Sequence, residues 1–289
     1  MSRIQDILNK AEREGAVRRT VVAEPDAQVG TLDPAPVAAR QARDTAPWVA
    51  DRHRPETQPT AAARVVRGVV FDRLMVAARA PHADAAEQYR TLRTRITQSE
   101  NGHARRVILV TSPAQGDGKS VTASNLALTM AQEFSRRTVL VDADLRRPGV
   151  HTLLGLPQEP GLADVLRGEV SLDEALVEIA DFNLTVLPAG RPPDRPAELL
   201  GTTAMRRTLD ALRSRFDRVL IDTPPVVPLA DVGVLAPYAD GVLLVVRAGA
   251  TPKPLIERAL ASFDAGRLLG LVLNDGGSVG DTGYAAPRA

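Results

Sequence analysis

Residues 107–120 read VILVTSPAQGDGKS. The first five, VILVT, form a short apolar run rich in β-branched residues, as a buried strand requires. The end of the stretch, GDGKS, leads into NLALTMAQEF (residues 125–134), whose apolar positions recur at helical spacing. A strand, a glycine-rich loop and a helix in this order are the context of a phosphate-binding loop. Gly116 and Gly118 let backbone N–H groups converge on an anion, and the N-terminus of the helix adds a favourable dipole. In that geometry Gly116, Asp117, Gly118, Lys119, Ser120 and Val121 line the anion, with Lys119 reaching the outer phosphates and the Ser120 hydroxyl facing Mg²⁺. The plain alternative is a glycine turn capped by a serine. Pro113 stands where such loops usually open with glycine, a place that mainly shapes the entry turn.

Composition narrows the field around this loop. The chain has 289 residues and a formal net charge of +1, room for one large domain plus a tail, and no bulk charge to recruit nucleic acid. Of its 36 basic residues only Lys10, Lys119 and Lys253 are lysines, so a lysine in the loop departs from the local habit of arginine. Cysteine is absent, which excludes disulfides, thiolate catalysis and cysteine-bound metals. No stretch approaches the roughly 20 apolar residues of a membrane span. The polar opening MSRIQDILNK is no signal peptide, so a cytoplasmic protein is expected.

Working outward, residues 1–20 carry a short amphipathic helix with Ile4, Ile7, Leu8 and Ala11 on one face. Residues 21–80 are rich in Pro, Ala and Arg and read as a linker, and residues 81–275 read as the folded domain. Further apolar runs lie at 138–142, 184–188, 218–222, 242–247 and 268–274, separated by helical segments. Such continuous runs predict an α/β domain with a doubly wound, mostly parallel sheet, whose ligands sit at the carboxyl ends of the strands. Two of these strands end in acids. VLVDADLRRP presents Asp142 and Asp144 with one residue between them, and RVLID presents Asp222 as a Walker B carboxylate is presented. Asp142 can serve both a metal and a hydroxyl nucleophile whose proton needs an acceptor. Taken singly, each acid is also explained as a turn cap.

TSPAQGDGKS, VLVDADLRRP and VLIDTPP, in this order, resemble the bacterial tyrosine kinases (BY-kinases) of the CpsD/CapB type, over residues 84–275. GLADVLRGE, LTVLPAGRPPDRPAELL and LLGLVLN look like family sequence too. The resemblance implies a P-loop NTPase fold and an ATP- and Mg²⁺-dependent tyrosine autokinase acting in exopolysaccharide or capsule production. It implies Lys119, Asp142, Asp144 and Asp222 as catalytic residues, with Ser120, Asp142 and Asp222 organising Mg²⁺ and with Arg247 and Asn274 beside the adenine. EQYRTLRTR matches the family's ExxRxxR helix, so Glu87, Arg90 and Arg93 are expected to contact a neighbouring subunit in a ring. Their spacing equally suits a solvated ion-pair face. Partition-type ATPases place a second lysine where this chain has Ala114, which argues against that family.

Family members commonly end in a tyrosine cluster, but the tail at 276–289 holds one, Tyr284, which becomes the expected phosphoacceptor. The implied partner is a membrane polysaccharide chain-length (co-polymerase) protein that recruits the kinase to the inner face of the membrane. A rival reading is an ATP-binding assembly switch with little kinase activity.

Overall fold

The protein is described by a computed structural model over residues 63–100, 105–133, 136–227, 231–264 and 266–276. The expected helix at 1–20, the linker up to residue 62, and the tail with Tyr284 lie outside the described residues.

Among the described residues eight strands form one sheet: β1 (Arg64–Val66), β2 (Val107–Thr111), β3 (Thr138–Asp142), β4 (Val177–Ile179), β5 (Leu184–Leu187), β6 (Arg218–Asp222), β7 (Gly241–Arg247) and β8 (Leu268–Asn274). Their spatial order is β1-β4-β5-β3-β6-β2-β7-β8. Only β4 and β5 pair antiparallel; the other neighbours are parallel. All six apolar runs of the sequence are strands, and β2, β3 and β6 are buried at every position. Burying each Val, Leu or Ile of these strands contributes about 1.5–3 kcal/mol, which makes the middle of the sheet the most strongly held part of the fold.

Helices cover both faces of the sheet. In chain order they are α1 (Val76–Arg79), α2 (Asp84–Gln98), α3 (Lys119–Ala131), α4 (Val150–Leu154), α5 (Leu162–Arg167), α6 (Leu172–Ala175), α7 (Pro196–Leu200), α8 (Thr203–Arg215), α9 (Asp231–Leu235) and α10 (Lys253–Ala261). One apolar cluster joins Leu200, Met205, Leu209 and Leu212 to Val107, Val139 and Val219; the other joins Leu126, Met130 and Leu154 to Ile108, Leu140 and Leu220. Alternate residues along each strand thus feed opposite cores, as the period of two requires. Helix α3 is buried almost all round, which explains its run of small residues.

Residues 63–80 correct the sequence expectation. They are not linker: β1 adds an edge strand beside β4, and Phe71 and Met75 are buried against α3 and the sheet. Phe71 meets Phe182 edge to face at 4.9 Å between ring centroids, and the Gly68 amide donates to Asp181 at 2.9 Å. The segment is tied to the loop-following helix by Asn125, which is fully buried. Its side chain donates to the Leu74 carbonyl at 2.9 Å and accepts the Ala77 amide at 2.9 Å. Proline, alanine and arginine hid this strap because its order comes from backbone hydrogen bonds and two anchors rather than from periodicity.

Asn125→Ala is expected to leave the Ala77 N–H buried without a partner, while the Leu74 carbonyl keeps the Val76 amide as its donor, a loss of roughly 1–3 kcal/mol. A lowered Tm, with amide exchange rising first across residues 63–80, is the expected result. An unchanged Tm and unchanged protection would show that the strap does not depend on this residue.

Candidate active site

Strand β6 lies between β3 and β2, and all three run the same way. Their carboxyl ends therefore share one rim. Asp142 and Asp222 are register partners across β3 and β6, and Asp222 pairs with Val110, one residue before the end of β2. The loop at 112–118 leaves the same rim and delivers Lys119 as the first residue of α3.

Gly116 and Gly118 adopt φ of 88° and 95°, values open to glycine and rarely to other residues. A Cβ on Gly118 would also stand 2.0 Å from Asn274 Nδ2, so this position is closed to side chains twice over. Pro113 fits because the entry turn is held by its neighbours: the Ser112 hydroxyl donates to the Ala114 carbonyl at 2.7 Å, and the Val226 amide donates to the Ser112 carbonyl at 2.8 Å.

Three buried carboxylates surround one buried ammonium. Lys119 Nζ lies 2.7 Å from Asp144 Oδ2, 3.9 Å from Asp222 Oδ1 and 3.1 Å from Ser120 Oγ. Asp142 is held by the amides of Gly149 and Val150, which donate to Oδ2 at 3.2 and 3.1 Å, while the Asp144 amide donates to Oδ1 at 3.2 Å. Asp222 is fully buried, and neither of its oxygens accepts a hydrogen bond.

The charges follow from this crowding. Burial pushes the Asp142 carboxyl well above the usual carboxylate range; the Asp222 charge adds to that, and the Val150 amide opposes it. Burial raises Asp222 to about 6 against the pull of Lys119. Burial also disfavours the Lys119 charge, but Asp222 and Asp144 outweigh it and hold the ammonium above its ordinary value. One cation among three carboxylates leaves negative charge uncompensated in a dry pocket, an arrangement that stands ready for a further cation.

The remaining expected residues are placed as follows. The Asp117 side chain turns into the protein: Oδ2 accepts the Ala114 amide at 2.8 Å and Oδ1 accepts the Thr251 hydroxyl at 2.7 Å. Asn274 Nδ2 donates to the Asp117 carbonyl at 2.9 Å, so this residue braces the loop from the end of β8. Arg247, at the end of β7, pairs with Asp275 at 2.9 Å on the exposed rim. Val121 lies in the first turn of α3, and its carbonyl accepts from Asn125 Nδ2 at 3.0 Å.

The α2 set is divided. Glu87 and Arg90 pair with each other at 2.6 Å on the surface. Arg93 instead reaches α3, donating to the Thr129 carbonyl at 2.9 Å and lying 3.3 Å from Glu133. Tyr89 packs over α3, where burial raises its hydroxyl above the ordinary value.

Two features were not read from the sequence. Thr251 gives no motif signal, being one threonine in the turn after β7. Arg146 forks onto the buried Asp231 with contacts of 2.6 and 3.1 Å, so Asp231 anchors the loop after β3.

Comparison with known proteins agrees with this architecture. A family model described as AAA domain matches residues 105–252. Tyrosine-protein kinase YwqD of Bacillus subtilis (strain 168) is 36% identical over 215 residues, covering 74% of this chain and 90% of that protein. The succinoglycan biosynthesis transport protein ExoP of Rhizobium meliloti (strain 1021) is 34% identical over 200 residues, which are 68% of this chain but 25% of that much longer protein. The kinase domain of the Escherichia coli tyrosine kinase ETK superposes with a TM-score of 0.67 at 26% identity, covering 83% of this chain and 88% of that domain. With a parallel sheet that carries a phosphate loop and two acidic strand ends on one rim, and a relative of this identity and coverage, the chain belongs to the bacterial tyrosine-protein kinases.

Proposed function

We propose that the protein is an ATP- and Mg²⁺-dependent tyrosine autokinase that regulates exopolysaccharide or capsule synthesis and export. The observation that carries this reading is the meeting of Lys119 with Asp142, Asp144 and Asp222 at one rim, where Asp222 has two buried oxygens and no hydrogen-bond donor.

The donor set suits magnesium: hard oxygens from Asp142, Asp222 and the Ser120 hydroxyl, beside an orphaned buried carboxylate. Among the described residues no three acidic or histidine side chains are arranged to hold a metal by themselves, so water and phosphate oxygens would complete the shell. When bound, Mg²⁺ would neutralise charge on the β and γ phosphates. The loop amides and Lys119 would hold those phosphates, which requires the ammonium to leave Asp144 for the nucleotide. Asp142, oriented by three backbone amides and with its basicity raised by burial, would accept the tyrosine proton, assisted by Asp144. Catalysis in this arrangement is positioning and charge stabilisation. Asn274 and Arg247, at the β7 and β8 ends of the same rim, would border the adenine.

The Glu87–Arg90 pair and Arg93 are proposed to meet a neighbouring subunit of a ring, with Tyr284 entering the adjacent site. The proposed partner is a membrane polysaccharide co-polymerase that recruits the protein from the cytoplasm to the membrane. No described helix is long and apolar enough to cross a membrane. The single tyrosine at 276–289 supports a second reading, an ATP-driven assembly switch.

Lys119→Met is expected to abolish phosphotyrosine while the protein stays folded by circular dichroism, with a lowered nucleotide-free Tm because the buried carboxylates lose their cation; retained phosphotyrosine refutes the assignment. Mass spectrometry after incubation with ATP, Mg²⁺ and the partner's cytoplasmic segment is expected to find phosphate on Tyr284. ADP release without phosphotyrosine would select the switch.

A pH prediction follows from Asp222. Its folded pKa of about 6 lies above the unfolded value near 3.8, so the native state binds the proton more tightly. Nucleotide-free stability must therefore fall as pH rises from about 4 through about 6, and Mg²⁺ affinity must rise over the same window. Asp222→Asn is expected to raise the nucleotide-free Tm at pH 7.5 by roughly 2–8 °C, with the gain shrinking toward pH 4. A Tm at or below wild type at pH 7.5 would contradict the charge assignment.

A further inference from the structure

We propose that Thr251 is a positioning residue for the phosphate loop: its hydroxyl holds the Asp117 carboxylate inside the protein, which keeps that negative charge off the phosphates and the loop amides aimed at them. This rests on the nucleotide site argued above.

The geometry is directional. Thr251 Oγ1 accepts the Arg247 amide at 2.9 Å, which leaves the hydroxyl proton free to point at Asp117 Oδ1, 2.7 Å away. Thr251 is itself fixed by its own backbone, donating to the Arg247 carbonyl at 3.1 Å. Asp117 is 4% exposed, and its other oxygen takes the Ala114 amide across the base of the loop. The peptide on its far side is fixed from β8, through the Asn274 amide on the Asp117 carbonyl. Residue 117 is therefore clamped at three points, and two of the clamps come from the strands that flank the loop on one side.

An aspartate between the two loop glycines is electrostatically awkward. Its carboxylate belongs to the residue two before Lys119, and rotation outward would set it against the anion the loop is built to hold. With Gly116 and Gly118 on either side, the backbone alone offers little resistance to such rotation. The hydroxyl of Thr251 supplies the restraint from outside the loop, beside the Ala114 amide within it, and a hydrogen bond to a buried carboxylate is among the stronger ones. It also links the turn after β7, which follows Arg247, to the loop that precedes Lys119. Occupation of the base side of the rim and of the phosphate side should then be felt together.

The test uses the full chain with Mg·ADP as probe, titrated calorimetrically, and ATP in the kinase assay. Thr251→Val, which keeps shape and removes the hydroxyl, is expected to raise the Kd for Mg·ADP about tenfold or more, the loss of one hydrogen bond to a charged group. The KM for ATP should rise with it while kcat changes little. Thr251→Ser, which restores the hydroxyl, should return the Kd to within about twofold of wild type. In an Asp117→Asn background, where no charge remains to restrain, Thr251→Val should lose most of its effect. Wild-type affinity in Thr251→Val overturns the inference. So does a Thr251→Ser variant as weak as Thr251→Val, which would assign the role to the methyl group, or an undiminished loss in the Asp117→Asn background. A wild-type chain that binds no Mg·ADP overturns both this inference and the function on which it rests.

Discussion

One ammonium group among three buried carboxylates sets the terms for the rest of this structure. Lys119 is 2.7 Å from Asp144 and 3.9 Å from Asp222, while Asp222 and Asp142 are both fully buried. A group of that kind is unfavourable unless its members are held firmly and its excess charge finds a partner. The parallel sheet supplies the first condition: β3, β6 and β2 are buried throughout, adjacent, and in register, which holds their ends together. The second condition is met by a ligand, and the donors point to a magnesium nucleotide.

The apolar core and the charged rim thus serve each other. Continuous burial of the central strands provides the stability that tolerates an orphaned carboxylate at the rim. The loop's glycines take positive φ without strain, and Thr251 and Asn274 tie the loop to the turn after β7 and to the end of β8. The strap at 63–80 extends this support to the far side of α3 through Asn125. Its contribution is mechanical: it closes the outer surface of the helix that carries Lys119.

The six apolar runs were legible as strands because a strand buried on both faces needs β-branched residues without interruption, and few other elements do. The phosphate loop and both acidic strand ends were legible for a similar reason, since each follows such a run directly. The two short strands β1 and β4 were not. At three residues each they carry no period, and both lie toward the sheet edge where composition is freer. Thr251 was hidden because its only signal is a distance: it meets Asp117 across 134 residues of chain. Arg93 was read with Glu87 and Arg90 as one face, yet it turns onto α3, because an arginine stem is long enough to leave the face its Cα occupies.

By itself, then, the amino-acid order determined that an α/β sheet would form, that a glycine-framed lysine would follow one strand, and that aspartates would end two others. These are local properties, dictated by side-chain shape and backbone freedom within a few residues. Tertiary structure alone decided that β6 would stand between β3 and β2, that Lys119 would pair with Asp144 rather than with the nearer Asp117 in sequence, and that residues 63–80 would be domain rather than linker. The physical reason is that strand order, burial and the direction of a charged side chain are settled by which surfaces exclude water together, and that is a property of the whole folded chain.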